Sequence, residues 1–320
     1  MKNLCLTFAV LTVLCSCSIN KMAINALSDA LTGDTNATTF TGDADPDLVG
    51  DALPFAIKLY ETLLAQNPNH QGLILTTGSL FIMYANAFVQ GPAQLLAPAQ
   101  QEEQQQAYNR AKQLYLRGTV LLYAGLDKKY PGFSQARAEN LGEILVKTKK
   151  EDVALLYWTA AGTLSAYSFN VMDPEFMLRL SDCLKMVDRA YALDPDFNKG
   201  AIDELYILLY ASLPETNGGD KKRAQEHFER AIQKSHGLLA GPYITYAQSL
   251  CIPAQDYDTF KLYLEKALAL DPQTDEANRL INTINQRKAQ YLLTHASRYF
   301  YFIDDEADGF DWTVFEEDDN

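Results

Sequence analysis

Three stretches of this chain close in the same way. Ala56, Tyr60, Leu63 and Pro68 are spaced by four, three and five residues, and Cys183, Val187, Ala190 and Pro195 repeat those intervals. Phe260, Leu264, Ala267 and Pro272 repeat them once more. Ala224, Phe228 and Ala231 share the first two intervals, with His236 where the proline would stand. Steps of four and three keep side chains on one face of a helix. Small residues on that face let a second helix approach closely, the larger residue fills the hole, and proline ends the helix. A chain built this way is committed to short, closely paired helices with abrupt ends.

The rest of the segment from Pro46 to Thr294 agrees. Ile202, Leu205, Tyr206, Leu209 and Leu213 line one helical face, and runs of alternating strand character are lacking. Breaks fall at Asn67-Pro68, Tyr130-Pro131-Gly132, Asp173-Pro174, Asp194-Pro195, Asn217-Gly218-Gly219, Gly241-Pro242 and Asp271-Pro272. Pro54 is expected near the start of a helix, where proline is tolerated if it falls in the first turn. A glutamine-rich helix is expected from Gln100 to Lys129, and a closing helix from Asp275 to Thr294. The phrases RAYALDPDF and KALALDPQT resemble the second helix and exit of a tetratricopeptide (TPR) repeat. That resemblance implies an all-α, TPR-like helical-hairpin solenoid with about four degenerate repeats plus extra helices, although the spacing departs from the usual period of about 34 residues.

The two ends of the chain differ from this body. The chain has 320 residues and a formal net charge of −14; nine of its acids lie in Asp304–Asn320, which has no Lys or Arg, leaving −5 elsewhere. Acidity of this order repels nucleic acid, so no nucleic-acid partner is expected. At the other end, Met1-Lys2-Asn3 precedes an apolar run from Leu4 to Leu14, too short to span a bilayer. The pattern is that of a secretory signal peptide, and Leu14-Cys15-Ser16-Cys17 resembles a bacterial lipobox. It implies cleavage before Cys17 and acylation there, with several acyl chains holding the protein on a membrane. Gly33–Asp45, rich in Thr, Gly, Asp and Asn, reads as a linker. The expected organisation is a lipoprotein signal peptide (1–16), lipid anchor and tether (17–45), TPR-like helical domain (46–296) and acidic tail (297–320). Residues Ile19 to Leu31 fit either the tether or a short helix of the body. Cys183 and Cys251 remain after processing and suit small buried helix positions as unpaired thiols.

The segment Asp45–Leu96 is the most distinctive. Its DPDLV, DALPF and TTGSLF elements and its MYANAFVQGPA run, below an upstream lipobox, are similar to the T component of tripartite ATP-independent periplasmic (TRAP) transport systems, the TatT family of lipoproteins. The resemblance implies a periplasmic, membrane-anchored protein that forms homotrimers with a pore through the body. It also implies association with the transporter's solute-binding P subunit, which captures an organic-acid or apolar ligand. A TPR lipoprotein scaffold for cell-envelope assembly is the alternative reading of the same fold.

Aromatics are dense, with 18 Tyr, 15 Phe and two Trp, so the residues that could line a ligand path come from this set. Tyr157, Trp158 and Tyr167 share a segment with Ala154, Ala160, Ala161, Gly162 and Ala166, small residues that leave space for aromatics to line or for core packing to fill. Tyr84 and Phe88 in the MYANAF run have the same two readings. Asn86 between them is either a pore or interface residue, or an amide bonded within its helix. No catalytic residue, metal site or cofactor is expected. The four histidines are scattered, and the phosphate, nucleotide and nucleophile motifs are missing. Asp43/Asp45/Asp47 and Asp194/Asp196/Asn198 alternate like calcium ligands but lack the loop's Gly and final Glu in register; an N-cap and a helix-exit turn account for them. The acidic tail, with Phe310, Trp312, Val314 and Phe315 among its acids, reads as a solvated end or as a docking segment.

The anchor reading yields a direct expectation. Cys17→Ala should leave protein that takes up no radiolabelled fatty acid and no longer sediments with membranes. Unchanged lipid labelling would refute it.

Overall fold

Proline and aspartate set where the first long helix begins. In the computed structural model, whose described residues are 25–32, 39–169 and 174–302, α1 spans Pro46–Gln66. Asp45 caps it, its Oδ1 accepting from the Asp47 and Leu48 amides at 3.0 and 3.1 Å, and Pro46 sits where its missing N–H costs nothing. The alternating acids here are therefore a cap, with Asp43 accepting in turn from the Asp45 amide. Pro54 is not in the first turn: it lies inside α1, two turns beyond its start, and its exposed position keeps the lost hydrogen bond on the solvent side.

The described residues are all-α, without strands. They divide into two compact units, residues 1–202 with 272–280 and residues 203–271 with 281–320. The expected anchor Cys17 and nearly all of the acidic tail lie outside the described residues.

The first unit follows α1 with α2 (Gln71–Gln94, including a π-helical turn at Ala85–Gln90), α3 (Gln101–Lys129), α4 (Phe133–Glu139), α5 (Leu141–Leu145), α6 (Val153–Tyr167) and α7 (Pro174–Leu193). Successive long helices pack on one another, and α6 also packs on α2. At 29 residues, α3 is ~44 Å long. Its buried stripe is Ala111, Tyr115, Gly118, Leu122 and Gly125. The glycines are where neighbours cross: a Cβ on Gly118 would stand 2.6 Å from the Gly78 carbonyl oxygen, and one on Gly125 would stand 2.7 Å from Ile74. A Cβ on Gly162 of α6 would overlap Ile82. Helix α2 has the length and apolarity of a membrane span, but its apolar residues are taken up by α1, α3 and α6.

The second unit holds most of α8 (Ala201–Ser212), then α9 (Lys221–Lys234), α10 (Gly241–Ala254, with a π-helical turn at Ala247–Cys251), α11 (Tyr257–Leu268) and most of α12 (Arg279–Thr294). Its core joins Ala231 and Phe228 of α9, Phe260, Leu264 and Ala267 of α11, and Tyr243, Ile244 and Ala247 of α10. All twelve helix-face residues of the four spaced motifs are buried. His236, in the place of the fourth proline, stops α9 by taking a left-handed conformation at φ 53°. Cys183 and Cys251 are free, buried thiols.

A charged cluster is buried here too. Asp203 of α8, fully enclosed, receives Lys234 Nζ and His227 Nδ1 of α9, each at 2.7 Å. Removing one member of such a cluster strands the others away from water.

Two stability outcomes follow. Gly118→Ala forces a methyl into a backbone contact and should cost about 1–3 kcal/mol in urea unfolding. Asp203→Ala should cost about 3–5 kcal/mol. Wild-type urea midpoints for both variants would contradict this packing.

Candidate functional site

The end of α2 is shaped by a proline that a regular helix cannot hold. Pro92 has no N–H, and its ring would collide with the Phe88 carbonyl in an α-helical ladder. The preceding turn widens instead, so that the Gly91 amide bonds to the Asn86 carbonyl five residues back. The same device precedes Pro253 in α10, where the Ile252 amide bonds to the Ala247 carbonyl. Both turns begin at the alanine of a Tyr-Ala pair, Tyr84-Ala85 and Tyr246-Ala247, and end two residues before a Pro-Ala pair, Pro92-Ala93 and Pro253-Ala254. Such π turns are a common feature of functional sites.

Widening turns Asn86 out to solvent, so this amide is exposed rather than enclosed by its helix. Tyr84 and Phe88 flank it, half-buried, their rings stacked 5.8 Å apart. Phe88 lies flat on α1 at Gly50, where a Cβ would come within 2.8 Å of the ring. Arg110 of α3 donates from Nη2 to the Tyr84 hydroxyl at 3.3 Å. Deeper in, the fully buried Tyr115 donates to Gln90 Oε1 at 2.5 Å. Burial pushes this phenol up to about 12, while hydrogen bonding from Asn86 and Ser165 pulls the other way. The Phe169 ring meets Tyr115 at 6.4 Å and Tyr108 at 5.2 Å, tilted by about 40° to each, and Lys112 Nζ sits 5.3 Å from the Tyr167 ring. The ends of α2 and α6 and the first half of α3 thus gather aromatics, two amides and two cations at one end of the first unit.

Of the expected site residues, Tyr84, Asn86, Phe88 and Tyr167 fall in this group. Tyr157 and Trp158 do not. Both are half-buried near the start of α6, where Tyr157 meets Trp158 edge-on at 5.2 Å and Phe197 at the same distance. Nine residues of helix separate Trp158 from Tyr167, a rise of ~14 Å. The small residues between them leave no space for aromatics to line. Ala160 and Ala166 are fully covered, and a Cβ on Gly162 would stand 2.9 Å from Thr119 as well as overlapping Ile82. Close helix contact, not a cavity, is what these small side chains provide.

Sequence reasoning missed Gln90, Arg110, Tyr115 and Ser165. The Pro-Ala pair inside an apolar helix was the available signal. It also missed a charge pair in the second unit. Glu204 accepts from Thr245 Oγ1 at 3.0 Å and fills the space that a Cβ on Gly241 would need, 2.6 Å from Oε1. Desolvation raises Glu204 and lowers Lys288 to about 8, each limiting the other's shift by its charge. Among the described residues no group of His, Cys, Asp and Glu is arranged to hold a metal ion.

The family model of the TRAP transporter T-component matches residues 42–300, and the chain belongs to that family. A Treponema pallidum (strain Nichols) protein, described only as uncharacterized, is 35% identical over 312 residues, covering 92% of this chain and 97% of its own length. Membership places the chain in a transport system of the bacterial periplasm and envelope.

Burial makes the alkaline limb of stability predictable. Tyr115, Cys183 and Cys251 hold their protons to about 12 in the fold, against ordinary values of 10.0 for the phenol and 9.0 for the thiols. The native state then binds more protons than the unfolded chain, so their contribution is complete below about pH 9 and is lost as pH rises toward 12. Tyr115→Phe should flatten the fall above pH 10 in urea midpoints measured across pH. A slope identical to wild type would mean that Tyr115 ionises as if exposed.

Proposed function

We propose that this protein is a lipid-anchored periplasmic scaffold of a TRAP transport system, built on helix pairs of TPR type, whose aromatic-amide end docks the solute-binding P subunit. The observation that carries this reading is Asn86, exposed on its π turn between half-buried Tyr84 and Phe88 and beside Arg110, in a T-component chain. Aromatic and arginine side chains dominate the energetics of protein interfaces, and ones already held by packing lose little entropy on binding. Arg110 and Lys112 supply positive charge in an otherwise acidic protein, and the surrounding rings supply apolar surface. That pairing suits an organic acid with an apolar body, which the scaffold holds or passes on. Cys17 is the lipid anchor, and the functional form is a homotrimer whose pore carries the ligand.

Asn86 is exposed but its side chain also hydrogen-bonds to buried Tyr115, so affinity and stability are read together. Asn86→Lys should weaken capture of the P subunit at least about tenfold, or ~1.4 kcal/mol, in titration calorimetry on protein whose circular dichroism shows it folded. Tyr84→Ala should weaken it further. Wild-type affinity in both variants would remove this end of the molecule as the docking surface.

A further inference from the structure

The stretch that the sequence leaves open between tether and short helix is fastened to the body. Residues 25–32 are helical and lie along the turn between α1 and α2. Asn67 Nδ2 donates to Asn25 Oδ1 at 2.5 Å, and the Tyr60 hydroxyl donates to the Leu31 carbonyl at 2.7 Å. Thr32 Oγ1 sits where a Cβ on Gly72 would be, 2.7 Å away, Ser28 is fully enclosed, and Leu31 packs on the core of the first unit. His70 joins the two parts. Its Nδ1 accepts from the Leu73 amide at 3.1 Å and so caps α2, which leaves the proton of the neutral ring on Nε2, 2.9 Å from Asp29 Oδ1. The chain is held a second time at Phe40, which packs on the same core, and at Gly42, whose carbonyl accepts from Arg279 Nη1 at 2.8 Å.

This changes how far the body can stand from an anchor at Cys17. Twenty-nine residues to Pro46, if free, would reach ~100 Å; the eight residues to Asn25 reach at most ~28 Å. We propose that residues 25–32 clamp the α1–α2 turn of the first unit close to the membrane surface, which fixes the lipid bilayer as the partner of that turn. The proposal rests on Cys17 being the acylated anchor. Beside the turn, exposed Lys128 at the end of α3 donates to Asn69 Oδ1 at 2.7 Å, a cation suited to anionic headgroups. The Asn86 cluster lies at the opposite end of α2, sixteen residues or ~24 Å of helix from His70. The clamp thus assigns the two ends of one helix to two partners, lipid at one and protein at the other.

The test uses the full lipidated chain in vesicles of phosphatidylethanolamine and phosphatidylglycerol with acceptor-labelled headgroups. The two native body cysteines are buried, so a donor dye is placed through Asn69→Cys at the turn or Ala99→Cys just beyond the far end of α2. Energy transfer from residue 69 should exceed that from residue 99 by about twofold or more, because α2 separates them by ~36 Å. Replacing exposed Asn25 and Asp29 together by Ala should erase the difference. Equal transfer from both positions in the unmutated chain would overturn the clamp. Two controls separate the causes of failure. The mass of the N-terminal peptide reports acylation of Cys17; an unmodified thiol overturns the anchor reading and the clamp with it. Amide exchange in the chain lacking lipid reports the docking alone; unprotected amides at 25–32 overturn the clamp and leave the anchor standing.

Discussion

At the crossing of α2 and α3, a single methyl group is the difference between a fit and a collision. Gly78 and Gly118 face each other so closely that the carbonyl of one fills the place of a side chain on the other. Gly162 brings α6 against Ile82 in the same way. Backbone-to-backbone approach at Gly78 and Gly118 fixes α2 and α3 relative to one another, since neither partner has a flexible end to move, while α6 is seated on the side chains of Ile82 and Thr119. Large rings still fill the interior, with Phe81 midway along α2 and Tyr115 midway along α3. The partly exposed aromatics Tyr84, Phe88 and Tyr167 stand in the second half of α2 and at the end of α6, where another molecule can read them.

The prolines act on the same helices in a second way. Pro68, Pro195 and Pro272 follow helix ends, as their spacing implies, whereas Pro92 and Pro253 lie within helices and are accommodated by π turns. The first turn exposes Asn86 and points Gln90 at Tyr115. A substitution that allowed a regular helix there would rotate Asn86 relative to Tyr84 and Phe88 without removing any of them. The function assigned to this end therefore depends on backbone geometry as much as on residue identity.

Much of the fold was legible because its signals are local. The Asp45-Pro46 cap, the spaced helix faces and the glutamine-rich helix, which begins at Gln101 and ends at Lys129, all follow from residues a few positions apart. What was not legible depends on distant partners. Gly162 and Ala160 look the same in sequence whether they border a cavity or a neighbouring helix; Ile82 and Thr119, far away in the chain, decide it. Asn86 looked like a buried amide because a regular helix would keep its apolar neighbours around it. The 84 positions between Glu204 and Lys288 hide their coupling in the same way. Residues 25–32 could be read as tether or as a short helix because the groups that hold them, Tyr60, Asn67 and His70, belong to α1 and the turn after it.

The central claim is that this chain is an assembling scaffold for its transport partner, and its mass in solution tests that most directly. Light scattering should be measured on the mature chain without lipid, alone and mixed with a P subunit of a TRAP system from the same organism. The account predicts a stable homotrimer that gains the mass of the partner. A monomer whose mass is unchanged by the P subunit would contradict it.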